Sequence, residues 1–196
     1  MSNDEIKINR VIKYFEDNIK FGWCDLQGKI YYSDLEKYVY KYYVMSLEET
    51  MNLGIGSCHE QVLLMNKMFN DVDIQSKMYC CKVYYLNSSF PKYLHSFIIF
   101  KSSNTYNLVE HDLQNKKKIY KSDSLNDLFN IVMNNYELKA PGSNKEIFEY
   151  ERLPFHVSYV QLNDYLNKNG IKRYVRSKWT EELLWKYHKL DWYQEN

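Results

Sequence analysis

Three kinds of side chain that together can carry out thiol acyl-transfer chemistry occur in order along this chain: Cys58, then His95, then the acids Glu110 and Asp112. A cysteine attacks a carbonyl carbon as its thiolate. A histidine takes and returns the proton, and a carboxylate holds the imidazole in one tautomer and supports its charged form. The stretch Gly56-Ser57-Cys58-His59-Glu60 gives the cysteine a particular place. Ser57 and Glu60 have the S-x-x-E spacing of a capping box, which puts Ser57 at the N-cap and Cys58 at the first helical position. A thiol there meets unpaired backbone N–H groups and the positive end of the helix dipole, an environment that favours a thiolate. The same N–H groups, that of Cys58 first among them, can hold a developing oxyanion. Gly56 would leave room for a substrate backbone to approach. Val62, Met65 and Phe69 share the helix face of Cys58 and should turn it toward the interior.

Of the five histidines, His59 follows Cys58 directly and turns away around the helix. His156 and His188 lie far downstream without a clear frame. His95 opens the most apolar strand of the chain, Leu94 to Phe100, where a polar imidazole needs a partner. The acid should come from the next strand, "NLVEHDL", and the hairpin register decides which residue faces His95. A two-residue loop at Ser102-Ser103 sets Glu110 opposite His95. A loop at Ser103-Asn104 sets Asp112 there, and an odd loop sets His111. Glu110 and Asp112 share a face, so either even loop supplies a carboxylate. Gln61 and Trp23 are further candidates for an oxyanion or substrate contact.

These residues need elements to hold them. Apolar residues at Ile8, Ile12, Phe15 and Ile19 predict a helix over Asp4 to Ile19. A short strand is expected at Lys29 to Tyr32. Ser33 could cap a short helix running to Tyr43, and Ser46 with Glu49 starts another that ends at Gly54. The Cys58 helix should stop at Asn70 to Asp73. Strands are expected at Lys77 to Leu86, Leu94 to Phe100, Tyr106 to Leu113 and Lys116 to Tyr120. Then come a helix at Leu125 to Val132, a strand at Glu146 to Arg152, and helices at Ser158 to Lys168 and Trp179 to His188. Helices followed by an antiparallel meander make an α+β layout. A single domain spanning 1–196 is expected, with a core at about 21–152 and a C-terminal helical extension at about 153–196.

Bulk properties narrow the function classes. Lys plus Arg number 26 against 25 for Asp plus Glu, so no single-sign field draws the chain to nucleic acid or acidic lipid. The 20 tyrosines read as codon bias of an AT-rich genome, not as a base-stacking platform, because no basic groove accompanies them. The four cysteines, Cys24, Cys58, Cys80 and Cys81, form no C-x-x-C pair, so neither a metal site nor any cofactor is expected. The N-terminus lacks an apolar signal core and no run of 18 apolar residues occurs. A cytoplasmic protein with reduced thiols is therefore expected, with no membrane and no nucleic-acid partner.

The ordered set Gly56-x-Cys58 before a helix, His95-x-Phe97 at a strand start and "LVEHDL" on the next strand resembles the transglutaminase-like superfamily, in particular a bacterial branch of it, over about Trp23 to Tyr150. The resemblance implies a papain-like core, with a nucleophile helix packed on an antiparallel sheet and helices at both ends. It makes Cys58 the nucleophile, His95 the general base and acid, and Glu110 the orienting residue where the family usually has Asp, with Asp112 as the alternative. It implies a peptide or protein substrate, and a protease, amidase, deamidase or cross-linking transferase reaction through an acyl-enzyme. Two alternatives stay open at this point: an inactive binding module on the same scaffold, and an acyl transferase resembling the arylamine N-acetyltransferases.

Overall fold

The computed structural model describes residues 3–33, 35, 38–85, 88–111 and 117–176. Its helices are α1 (Asn3–Asn18), α2 (Leu47–Leu53), α3 (Cys58–Asp71), α4 (Leu125–Lys139) and α5 (Tyr159–Asn169). Its strands are β1 (Lys20–Phe21), β2 (Trp23–Asp25), β3 (Ile30–Tyr31), β4 (Tyr42–Tyr43), β5 (Ile55–Gly56), β6 (Ser76–Tyr84), β7 (Tyr93–Ser102), β8 (Thr105–His111), β9 (Lys117–Ser122), β10 (Asn144–Tyr150) and β11 (Ile171–Arg176). The main sheet is antiparallel and runs β11-β10-β6-β7-β8-β9. A three-stranded antiparallel sheet β3-β2-β4 and a two-stranded parallel pair β1-β5 sit beside it. The chain is thus α+β, and no described helix is long and apolar enough to cross a membrane.

The central strand is apolar on both sides because both faces of the sheet are covered. Leu94, Ile98 and Phe100 of β7 share one core with Val62, Met65 and Phe69 of α3, Phe15 of α1 and Leu162 of α5. Phe97 and Ile99, with the opposite parity, share a second core with Leu128, Phe129, Val132 and Met133 of α4. The helices α1 and α5 therefore belong to the same core as the Cys58 helix.

Local signals explain most boundaries. Ser46 caps α2 through the Glu49 N–H, Glu49 returns the bond to the Ser46 N–H, and Gly54 ends the helix in the left-handed region at φ 64°. The expected helix from Ser33 to Tyr43 is corrected: among the described residues only a 3-10 turn, Val39–Lys41, forms there, and Tyr42–Tyr43 pairs with β2 as a strand. The tyrosines win as strand residues because Tyr42 is fully buried in the core shared with α3. Helix α4 runs to Lys139, seven residues past the expected Val132. The expected helix at Trp179 to His188 lies outside the described residues.

Two buried lysines anchor helices to the sheet. Lys82 gives Nζ hydrogen bonds to the Asn163 carbonyl (3.3 Å), Asn163 Oδ1 (3.1 Å) and Asn167 Oδ1 (2.7 Å), tying α5 to β6. Burial pushes its ammonium down to about 8. Lys145 gives bonds to Glu137 Oε2 (2.7 Å), the Ser143 carbonyl (3.1 Å) and Ser143 Oγ (2.9 Å), tying the last turn of α4 to β10. An ammonium has three donors, and both lysines use all of them. Lys145→Ala leaves the Glu137 carboxylate and two serine acceptors short of a donor. We expect it to cost about 2 kcal/mol or more of unfolding free energy, read as a lowered urea midpoint at unchanged slope.

Candidate active site

Helix α3 starts where its cap directs it. Ser57 Oγ accepts from the His59 N–H (3.3 Å), and Glu60 Oε2 accepts from the Ser57 N–H (2.9 Å) and from the Ser57 hydroxyl (2.5 Å). Glu60 Oε1 accepts from the Tyr42 hydroxyl (2.7 Å) and the Met45 N–H (3.1 Å). The capping glutamate is fully buried, and burial pushes its carboxyl above the usual range against the pull of these hydrogen bonds. The cap thus joins α3 to the β4 segment. The Ser57 carbonyl takes the Gln61 N–H, and the Cys58 N–H keeps no acceptor among the described residues.

Gly56 has a different role from the one expected. It is buried, and a Cβ there would meet Glu60 Cβ at 3.1 Å, Gln61 Cγ at 3.2 Å and Thr50 Cγ2 at 3.2 Å. The missing side chain makes room for α3 and α2 to approach, not for a substrate.

His95 and Cys58 come from opposite sides of the sheet. His95 has the parity of Phe97, stacks on it (6.2 Å between ring centroids) and packs against Tyr136 of α4 (5.4 Å). Cys58 belongs to α3 on the other face, and its thiol donates to the Leu94 carbonyl (3.9 Å). Among the described residues the pairing of β7 with β8 runs from Ser102↔Thr105 to Ile98↔Val109 and ends short of His95. The thiol interacts with the imidazole.

The acid on His95 is Glu110, as first expected, but not through the register that was expected to place it. The loop is Ser103-Asn104, with Ser103 at φ 56°, the register in which Asp112 would oppose His95. Yet the carboxylate in contact is Glu110, with Oε1 3.3 Å from His95 Nε2. Glu110 stands diagonally from His95 on the same face, a separation that long side chains bridge and short ones do not. Asp112 lies outside the described residues. Burial alone would lower the His95 imidazole. The Glu110 charge and then the contact with the Cys58 thiol overcome it and push His95 up to about 10.

The other candidates separate from the site. Trp23 is fully buried, stacks on Tyr31 (4.1 Å) and gives its Nε1 proton to the Ser33 carbonyl (3.1 Å), so it is a core residue. Gln61 is buried and binds the Gly56 carbonyl through Nε2 (2.8 Å), while its Oε1 has no partner among the described residues. His156 stacks on Tyr43 and reaches Glu49 (3.0 Å) at the surface, and His188 lies outside the described residues. Cys24, Cys80 and Cys81 are buried while Cys58 is half-buried. Burial pushes the Cys24 thiol up, Cys80 up to about 12 and Cys81 higher still.

Two residues escaped the sequence reading. His59 does turn away from the thiol side of α3, but not to solvent: its Nδ1 is hydrogen-bonded to Ser96 Oγ (2.7 Å), which also accepts from the Tyr150 hydroxyl (2.9 Å). Burial, then the charge of His95, push His59 down to about 3, so it stays neutral. The signal was adjacency: His59 follows Cys58 and Ser96 follows His95. Tyr136 is the second, since the expected end of α4 at Val132 excluded it. No protein-family model matches the chain, and no curated protein matches it.

Two outcomes follow from this geometry. Glu110→Gln removes the charge that most favours the imidazolium, and should lower the His95 midpoint by about 1–3 units, measured by NMR titration of the ring nitrogens; an unchanged midpoint would exclude Glu110 as its partner. Gly56→Ala overpacks the junction of α2 and α3 and should cost about 1–3 kcal/mol in chemical denaturation.

Proposed function

We propose that this protein is a thiol enzyme that acts on peptide or protein amides through an acyl-enzyme, on a papain-like, transglutaminase-like scaffold. The observation that carries the reading is the line Cys58–His95–Glu110, with a half-buried thiol at a helix start, an imidazole held toward its charged form and a carboxylate on Nε2. The imidazole Nδ1 is the ring nitrogen left to exchange a proton with the sulfur. In the first step the sulfur bonds to the amide carbon and the carbonyl pair moves to oxygen. In the second the pair returns, the C–N bond breaks, and the amine leaves with the proton of His95. Water or a second amine then takes the acyl group, with His95 acting as base.

The half-buried thiol argues for catalysis over a binding module, which would leave Cys58 sealed beneath its neighbours. No cofactor is needed for this sequence of steps, and the residues that perform them all belong to this chain. Two measurements test the reading. Iodoacetamide followed by peptide mapping should modify Cys58 at least about tenfold faster than Cys24, Cys80 or Cys81. Incubation with a mixture of short peptides bearing side-chain and backbone amides should release ammonia or amine and leave an acyl adduct on Cys58 by mass spectrometry. Cys58→Ala should abolish both products with its circular dichroism unchanged. Equal, slow alkylation of all four thiols with no adduct on the wild-type chain would overturn the proposal.

A further inference from the structure

We infer that Tyr136 is a catalytic residue of this site, its hydroxyl joining the Cys58 N–H to receive the oxyanion that forms when the sulfur adds to a substrate carbonyl. The inference rests on the acyl-transfer reading above and adds the second oxyanion donor to it.

Tyr136 lies in the last turn of α4. Its ring is buried against His95 (5.4 Å between centroids) and Tyr93 (5.7 Å), and Lys139 Nζ covers the ring at 5.2 Å. A buried tyrosine normally gives its hydroxyl proton to an acceptor. Two other buried tyrosines near the site do so: Tyr42 bonds to Glu60 (2.7 Å), and Tyr150 to Ser96 (2.9 Å). The Tyr136 ring contacts are ring contacts only, and its hydroxyl meets no hydrogen-bond partner among the described residues. Nor is it sealed, because the enclosed side-chain atoms without a partner are Gln61 Oε1 and Asn144 Oδ1. Tyr136 thus sets its ring beside His95 and carries a hydroxyl that the described residues leave available.

Its electrostatic surroundings suit a donor. Burial first, then the charges of Cys58 and Glu110, hold the phenol far above its usual range, so it keeps its proton wherever the enzyme works. A group that cannot ionise can only donate to an anion formed at the sulfur. Its position is fixed from behind, because Glu137, the next residue, is held by the buried Lys145 (2.7 Å). In the addition step the S–C bond forms and the carbonyl π pair becomes the oxyanion. Tyr136 O–H and Cys58 N–H hydrogen-bond to that oxygen without losing their protons, and both bonds relax when the pair returns and the leaving group departs.

The test compares two reactions of the same thiol. Acylation by p-nitrophenyl acetate passes through an oxyanion and releases p-nitrophenolate; alkylation by iodoacetamide displaces iodide and forms none. Tyr136→Phe keeps the ring contacts and loses only a hydroxyl with no partner among the described residues, so the fold should stand. We expect acylation of Cys58 to fall about 10²-fold while alkylation is unchanged. An equal fall in both reactions would show that Tyr136 shapes the thiol's surroundings, and would overturn the role. No change in either would overturn it too, leaving the wild-type acylation and the acyl-transfer reading intact. A wild-type Cys58 that is alkylated but never acylated would overturn the acyl-transfer reading and this inference with it.

Discussion

The 2.7 Å hydrogen bond between His59 and Ser96 is the contact on which the site depends. It joins the residue after the candidate nucleophile to the residue after the candidate base. Because backbone and side-chain geometry over one residue is nearly rigid, holding 59 against 96 also holds 58 against 95. The bond is enclosed, and Ser96 is braced again by the Tyr150 hydroxyl from β10. A buried polar network of this kind is costly when partly satisfied and specific when complete. Here it decides one docking of α3 on the sheet among the many that an apolar face alone would permit. A leucine pair in its place could pack as tightly and still let the helix slide.

A second enclosed network sets the direction of the same helix. Glu60 takes four hydrogen bonds from Ser57, Tyr42 and Met45, which cap α3 and pin its start to the β4 segment. Sliding is prevented by His59 and Ser96, and tilting by Glu60 and its donors. The Cys58 side chain is thereby left as a half-buried polar group at the helix start, beside an N–H with no acceptor among the described residues.

What could be read from the sequence follows from the range of each interaction. The capping boxes at Ser46 and Ser57 are contacts within four residues, so their spacing is visible in the chain, and both form. The strand core at Phe97 to Phe100 was legible for a similar reason, since its apolar run records burial on both faces. Cys58, His95 and Glu110 were legible as residue types in order. The register that joins them was not, because loop length and the point where a ladder stops depend on tertiary packing. Gly56 was misread for the same reason: whether a missing side chain admits a substrate or a helix is invisible until Thr50 and Glu60 are in place. His59–Ser96 and Tyr136 depend on pairs 37 and more residues apart, and the one local mark is that His59 follows Cys58 and Ser96 follows His95.

The register of β8 on β7 explains why the acid in contact with His95 is a glutamate. In a continuous ladder with this register, the residue directly across from His95 would be 112, and a short carboxylate there would suffice. Among the described residues the ladder stops at Ile98↔Val109, short of His95. The same-face acid among the described residues, Glu110, is diagonal to His95. Reaching from there takes the longer side chain, and the 3.3 Å contact of Glu110 is the result. The register and the extra methylene of the acid thus belong together: with Glu110 diagonal to His95, only a long carboxylate side chain closes the distance.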